Sequence, residues 1–252
     1  MTKRFDDRVV VVTGGSTGIG LATASAFLKE GARRVYVTGR TRKSLDAAVE
    51  ALGERAVPVV SDVSKIGDIE KLKAEIEERG DNVDVLFANA GIAEKNSFGA
   101  TTEAEFDKTF DINVKGLFFT VQTLLPLVPD GGAVVLNASI VANKGMAELS
   151  LYNASKAAVR SFARTLANDL KARKIRVNAV SPGLTRTPIL ENGLKMDEQQ
   201  IAALHSHAEQ AVPLGYVARP EEIATTVTFL ASADASYVNG IELSVDGGMT
   251  QI

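Results

Sequence analysis

Four side chains stand out for the chemistry that their types and spacing allow: Asn113, Ser139, Tyr152 and Lys156. Tyr152 and Lys156 fall four apart in Tyr152-Asn153-Ala154-Ser155-Lys156. A helix there puts phenol and ammonium on one face. Ser139 comes thirteen residues before Tyr152, at the end of an apolar run, and Asn113 lies in an earlier segment of helical spacing. Hydroxyl, phenol, ammonium and amide make a set suited to proton transfer. A free phenol titrates at a pH of about 10, so acid and base work near neutrality needs that value lowered by a few units, at about 1.4 kcal/mol per unit. An ammonium one helical turn away supplies part of such a shift.

A frame must bring these residues together. Short apolar runs rich in Val occur at 9–12, 35–37, 57–60, 83–88, 133–137, 175–180 and 241–245. Each reads as a buried strand, and the gaps leave room for one helix apiece, which predicts an α/β chain on a parallel sheet. Between the fourth and fifth runs, Phe106, Phe110, Val114, Leu117, Phe118, Val121, Leu124 and Leu125 recur at threes and fours, with Glu103, Asp107, Lys108 and Lys115 opposite. This spacing predicts one long amphipathic helix. Ala154, Ala158, Phe162, Leu166 and Leu170 predict another over about 152–173. No repeat, low-complexity tract or long linker divides the chain, so residues 1–252 read as one domain. The segment 188–213 interrupts the alternation after the sixth strand; it reads as a lid, with a plain surface helix pair as the alternative.

The first strand runs into Thr13-Gly14-Gly15-Ser16-Thr17-Gly18-Ile19-Gly20 and then into a helical stretch. Glycines at a first strand-to-helix junction let backbone N–H groups approach a pyrophosphate, and the helix N-terminus adds partial positive charge, which points to a dinucleotide. The second strand ends at Thr38-Gly39-Arg40, followed by Thr41, Arg42 and Lys43, with no carboxylate over 35–45. A carboxylate there would bind the ribose 2′-hydroxyl of NAD, whereas a guanidinium suits the 2′-phosphate of NADP. The expectation is therefore NADP(H) in preference to NAD(H). The alternative is that these cations decorate a solvated helix start.

In this order the glycine loop, Asp62-Val63, Asn89-Ala90-Gly91, Asn113, Ser139, Tyr152 with Lys156, Pro182-Gly183 and Thr187-Pro188 resemble the motifs of classical short-chain dehydrogenase/reductases, over essentially the whole chain. The resemblance implies a doubly wound Rossmann fold with seven parallel strands in the order 3-2-1-4-5-6-7. It implies that Tyr152 protonates the substrate oxygen, Ser139 holds that oxygen, Lys156 lowers the phenol pKa and binds the nicotinamide ribose, and Asn113 supports a water-linked proton relay. By the same carry-over Gly14, Ser16, Thr17, Gly18, Ile19 and Gly20 meet the pyrophosphate, while Gly39, Arg40 and Thr41 meet the adenosine ribose. Asp62 and Val63 would meet the adenine, and Asn89, Ala90 and Gly91 would flank the adenosine ribose. Pro182, Gly183, Thr185 and Thr187 would lie along the nicotinamide. Two departures are mild: Ala88 stands where many relatives carry a second Asn, and Thr17 stands where some NADP-specific members carry a cation. The last strand and tail, through Val245-Asp246-Gly247-Gly248, imply a homotetramer.

The resulting expectation is an NADPH-dependent oxidoreductase that reduces a small ketone or aldehyde and, in reverse, oxidises a secondary alcohol. Ile140, Val141, Glu148, Leu149, Leu184, Ile189 and Leu190 would line the substrate pocket. Reduction of 3-oxoacyl groups on acyl carrier protein is the alternative, but Glu191, Asp197, Glu198 and Glu209 outnumber Arg186 and Lys195 around the lid, which disfavours a large acidic partner. A cofactor-binding regulator without turnover is a remote third reading, opposed by intact Ser139, Tyr152 and Lys156.

Composition bounds these expectations. The 252 residues carry 28 Lys+Arg against 31 Asp+Glu, a net charge of -3, which argues against a nucleic-acid binder. The absence of cysteine removes disulfides, thiolate catalysis and Cys-based metal sites. His205 and His207, two apart on a predicted helix, point away from each other, so no metal site is expected. Glu221-Glu222 after Pro220 fits a helix first turn better than a pair of catalytic acids. Residues 1–8 are charged and lack an apolar core, and the apolar stretch 116–128 is too interrupted to cross a membrane, so a cytoplasmic protein is expected.

Overall fold

The computed structural model describes residues 3–252; Met1 and Thr2, the start of the charged N-terminal stretch, lie outside them. Strands β1 (Val9–Val12), β2 (Arg34–Gly39), β3 (Ala56–Val60), β4 (Val85–Ala88), β5 (Ala133–Asn137), β6 (Arg176–Pro182) and β7 (Glu242–Val245) form one sheet in the order β3-β2-β1-β4-β5-β6-β7. All neighbours pair in parallel. The described helices are α1 (Gly18–Lys29), α2 (Arg42–Leu52), α3 (Ile66–Glu78), α4 (Glu103–Phe110), α5 (Leu117–Leu124), α6 (Ser150–Asp169), α7 (Ile189–Asn192), α8 (Glu198–Ala211) and α9 (Pro220–Ala231). The order reverses direction between β1 and β4, where the strand C-termini part and leave a crevice.

Alternate side chains of each strand serve opposite faces. Val9, Val11, Leu86, Val134, Leu136 and Val177 pack with Leu72, Ile76, Leu117, Val121, Val159 and Ala163 from α3, α5 and α6. Val10, Val12, Val35, Val37, Phe87, Val135 and Val180 pack with Ala24, Phe27, Leu45, Ile223, Val227 and Leu230 from α1, α2 and α9. Both faces are covered, which is why the strands read as continuous apolar runs.

Two expectations about helices are corrected. The long helix is broken by a π segment, Asp111–Gly116, between α4 and α5. A π turn inserts one residue and so shifts the phase of α4 relative to α5. Phe106, placed by spacing on the buried face, is therefore 46% exposed and stacks on Phe110 at 4.4 Å between ring centres. On α6 the fully buried stripe is Ser155, Lys156, Val159, Ala163 and Ala167, one position on from the stripe read in the sequence. Phe162 stays half-buried, with its ring 5.4 Å from that of Phe118.

The segment after β6 is stapled at its base. Thr185 and Ala218 form a parallel bridge, and Arg186 N–H donates to the Ala218 carbonyl at 2.9 Å. Asp197 caps α8 with a capping box, accepting from Gln200 N–H at 2.8 Å. The end of α7 lies against the chain beyond β4: a Cβ at Gly193 would come within 2.3 Å of the Ala93 carbonyl oxygen.

Candidate active site

Every strand used by the site contributes at its C-terminal end. β1 delivers Thr13, whose hydroxyl accepts from the N–H groups of Asn89 (2.9 Å) and Ala90 (3.0 Å) beyond β4. The Asn89 amide donates to the carbonyls of Thr13 (2.8 Å) and Gly14 (3.3 Å), and accepts from the Asn137 amide at 2.8 Å. The turn after β1, the end of β4 and the end of β5 are thus tied by side-chain amides.

The glycine loop has a shape that only glycine allows. Gly14 and Gly18 have φ of +63° and +53°, and a Cβ at Gly20 would lie 2.2 Å from the Gly14 carbonyl oxygen. The start of α1 therefore sits directly on the turn, with its first N–H groups free for an anion. A Cβ at Gly18 would come within 3.3 Å of the Thr187 side chain, so Thr187 roofs this loop. Such a cradle fits the pyrophosphate of a nicotinamide dinucleotide.

The glycine loop opens into one cleft of about 970 Å³. Along it lie Gly14, Ser16, Thr17, Gly18, Ile19 and Gly20, then Gly39, Arg40, Asp62 and Val63, then Asn89, Ala90 and Gly91. Across it lie Pro182, Gly183, Thr185 and Thr187, and its far part is walled by Ile140, Val141, Glu148, Leu149, Leu184, Ile189 and Leu190. Thr41 is the exception among the residues expected at the cofactor. It does not line the cleft; its hydroxyl caps α2 by accepting from Ser44 N–H at 3.3 Å. Arg40 is exposed at the cleft and makes no ion pair among the described residues, whereas Arg42 is turned to Asp46 at 2.8 Å.

Ser139, Tyr152 and Lys156 share the middle of the cleft. Lys156 Nζ donates to the Asn137 carbonyl at 2.6 Å and stands 5.8 Å from the centre of the Tyr152 ring. Burial, with no carboxylate partner, lowers the ammonium pKa to about 8. Burial holds the Tyr152 phenol above its ordinary value, and the neighbouring Ser139 hydroxyl offsets only part of that rise. Asn113 stands behind these groups and does not line the cleft. Its amide accepts from Ile92 N–H (2.8 Å) and donates to the Ile92 carbonyl (2.9 Å) and the Ser155 hydroxyl (3.0 Å). Asn113 lies within the π segment and is buried there.

The cleft also gathers residues that the motifs did not single out. Glu94, Lys95 and Lys108 line it near the entrance, with Lys108 paired to Glu94 at 2.7 Å and Lys95 facing Glu148 at 3.7 Å. Met196, Gln200 and Leu204 reach it from the segment after β6. Their signal was only proximity to Gly91 and to the insertion after β6. Among the described residues no group of three His, Asp or Glu is placed to hold a metal, and no helix is long and apolar enough to cross a membrane.

Comparison with known proteins agrees with this fold. A family described as enoyl-(acyl carrier protein) reductase matches residues 14–250. The chain is 38% identical to oxidoreductase asL5 of Sarocladium schorii, covering 99% of this chain and 98% of the relative. It is 36% identical to the levodione reductase of Leifsonia aquatica, over 99% and 96%. A crystal structure of levodione reductase superposes with a TM-score of 0.91 at 34% identity, covering 98% of this chain and 99% of that one. Such enzymes use a nicotinamide cofactor, and the cradle at Gly14, Gly18 and Gly20 fits one. The chain belongs to the short-chain dehydrogenase/reductase family of oxidoreductases.

Proposed function

We propose that the protein is an NADPH-dependent carbonyl reductase, converting a small ketone or aldehyde to an alcohol and running in reverse on secondary alcohols. The observation that carries this reading is that Ser139, Tyr152 and Lys156 line one cleft together with the glycine cradle and a set of apolar side chains. The bound dinucleotide supplies the hydride. Ser139 holds the carbonyl oxygen by hydrogen bonding, and Tyr152 gives that oxygen its proton. Lys156 lowers the phenol through its charge and grips the adjoining ribose, while Asn113 positions the segment at Ile92 and a proton path behind Lys156.

Arg40 supports the choice of NADPH: of Arg40, Arg42 and Lys43 it is the one that lines the cleft, and residues 40–45 hold no carboxylate. Ile140, Val141, Leu149, Leu184, Ile189 and Leu190 favour an apolar substrate body. The α7–α8 segment acts as the lid over it. A homotetramer accounts for the exposed Phe106 and for the half-buried Phe110, Phe118 and Phe162 on α4 to α6.

The test is NADPH consumption, then NADH consumption, with aryl ketones, ketoesters and 3-oxoacyl thioesters. Turnover of simple ketones with NADPH is expected. Turnover of thioesters alone would move the assignment to fatty-acid or polyketide reduction, and cofactor binding without turnover would make the protein a regulator. Tyr152→Phe is expected to keep NADPH binding and lose turnover by roughly two orders of magnitude or more; full activity in that variant would overturn the mechanism.

A further inference from the structure

Glu242, on β7, lies outside the cleft lining yet touches three elements that carry the reacting groups. Its side chain is only 10% exposed. One carboxylate oxygen accepts from the Ser181 hydroxyl at 2.7 Å, the other accepts from the Arg160 guanidinium, and both lie 2.9 Å from the Asn143 amide nitrogen. The positions of the donors matter more than their number. Arg160 follows Lys156 by four residues and Tyr152 by eight, so it continues the same face of α6. Asn143 follows Ser139 by four, at the end of the turn that Ser139 begins. Ser181 immediately precedes Pro182-Gly183 at the end of β6.

We propose that Glu242 is a positioning residue for the reaction, fixing the serine turn, the tyrosine–lysine helix and the nicotinamide-side strand end relative to one another. This assignment rests on the reductase reading. A carboxylate suits the task because it only accepts, and all its neighbours here only donate or can donate. A glutamine keeps one acceptor oxygen and must turn its NH₂ toward a donor, leaving the helix or the turn unheld. Removing the partner of the partly buried Arg160 also leaves a cation with no counter-charge, so the two must move as a unit. Displacing a reacting group by a fraction of an ångström to an ångström is enough to lower turnover by about ten- to a hundredfold.

The experiment compares wild type with Glu242→Gln, Arg160→Met, Asn143→Ala and the double variant Arg160→Met/Glu242→Gln. Three quantities are measured: kcat at saturating cofactor, NADPH affinity by fluorescence titration, and ionisation of the Tyr152 phenol in the NADP⁺ complex, followed by near-ultraviolet absorbance against Tyr152→Phe. For Glu242→Gln the expected result is a fall in kcat of about tenfold or more, a smaller loss of NADPH affinity because Lys156 also grips the ribose, and a phenol titration displaced to higher pH as Lys156 loses its place. The double variant should lose less than the product of the two single losses. A purely structural role would lower thermal stability and leave kcat and the phenol titration of the folded fraction at wild-type values; that result overturns the proposal. Should Glu242→Gln not fold, Asn143→Ala, a change in an exposed turn, decides it on the same two readouts. If wild type reduces no carbonyl, the reductase reading fails, while the phenol titration still reports on positioning.

Discussion

Replacing Lys156 by Met should make the protein more stable and inactive at once. Burial holds the Lys156 ammonium at a pKa of about 8, against an ordinary value of 10.5. Below pH 8 the group is charged in both folded and unfolded chains, and the folded state bears the whole desolvation cost. Between pH 8 and 10.5 the unfolded chain binds the proton and the folded one releases it, so stability rises with pH and the cost disappears near the upper limit. The difference of 2.5 units corresponds to roughly 3 kcal/mol at about 1.4 kcal/mol per unit. Methionine fills a similar volume without a charge, but it leaves the Asn137 carbonyl without the 2.6 Å hydrogen bond, at a cost of about 1–2 kcal/mol. The net gain at pH 7 is therefore roughly 1–2 kcal/mol, a rise in Tm of about 2–8 °C for a chain of this length. Denaturant or thermal unfolding of cofactor-free wild type and Lys156→Met at neutral pH and near pH 10 measures it. The advantage of the variant should shrink toward alkaline pH. A variant less stable than wild type at neutral pH, or an advantage independent of pH, would refute the account of a buried and uncompensated ammonium.

Arg40 at the cleft and Asp81 in the turn before β4 give two other expected outcomes. Arg40→Ala should lower the ratio of NADPH to NADH kcat/KM by about ten- to a hundredfold, the worth of charged hydrogen bonds to a 2′-phosphate, and an unchanged ratio in steady-state assays would count against NADPH. Arg40 is the better probe than an aspartate at Gly39, where a new Cβ would come within 2.9 Å of the Ser16 hydroxyl. Burial pushes the Asp81 carboxyl up, but hydrogen bonds from Tyr36 (2.7 Å), Arg34 and Arg33 (2.9 Å) outweigh it and hold the group below its ordinary value. Stability from this carboxylate is present above its unfolded pKa and lost as pH falls through the folded one. Tyr36→Phe should therefore cost about 1–2 kcal/mol and move the acid unfolding midpoint to higher pH, as circular dichroism would show.

The sheet was legible because β1, β2, β4, β5 and β6 are buried on both faces and read as apolar runs, and because α1, α2 and α3 each begin within a few residues of a strand end. The break at Asp111–Gly116 left no such mark. Its periodicity continues at threes and fours through the π segment, and the contact that goes with it, the Asn113 amide on the Ile92 backbone, is long-range. Thr41 misled for the reverse reason: a threonine beside a phosphate-binding turn and a threonine capping a helix look alike until the Ser44 N–H is located. Glu242 carried no signal at all, since it lies 86 residues beyond Lys156 and acts only through contacts that folding creates.

The turns that lead into the strands lie at the opposite edge of the sheet from the cleft. At Gly53, Gly80 and Gly131 in these turns φ is positive and the space around the Cα is open. That edge is a handle. Because the chain has no cysteine, a Glu54→Cys substitution at the exposed turn before β3 would introduce its single thiol. A dye attached there would mark every subunit at one site away from the cleft, leaving the way in for substrate open.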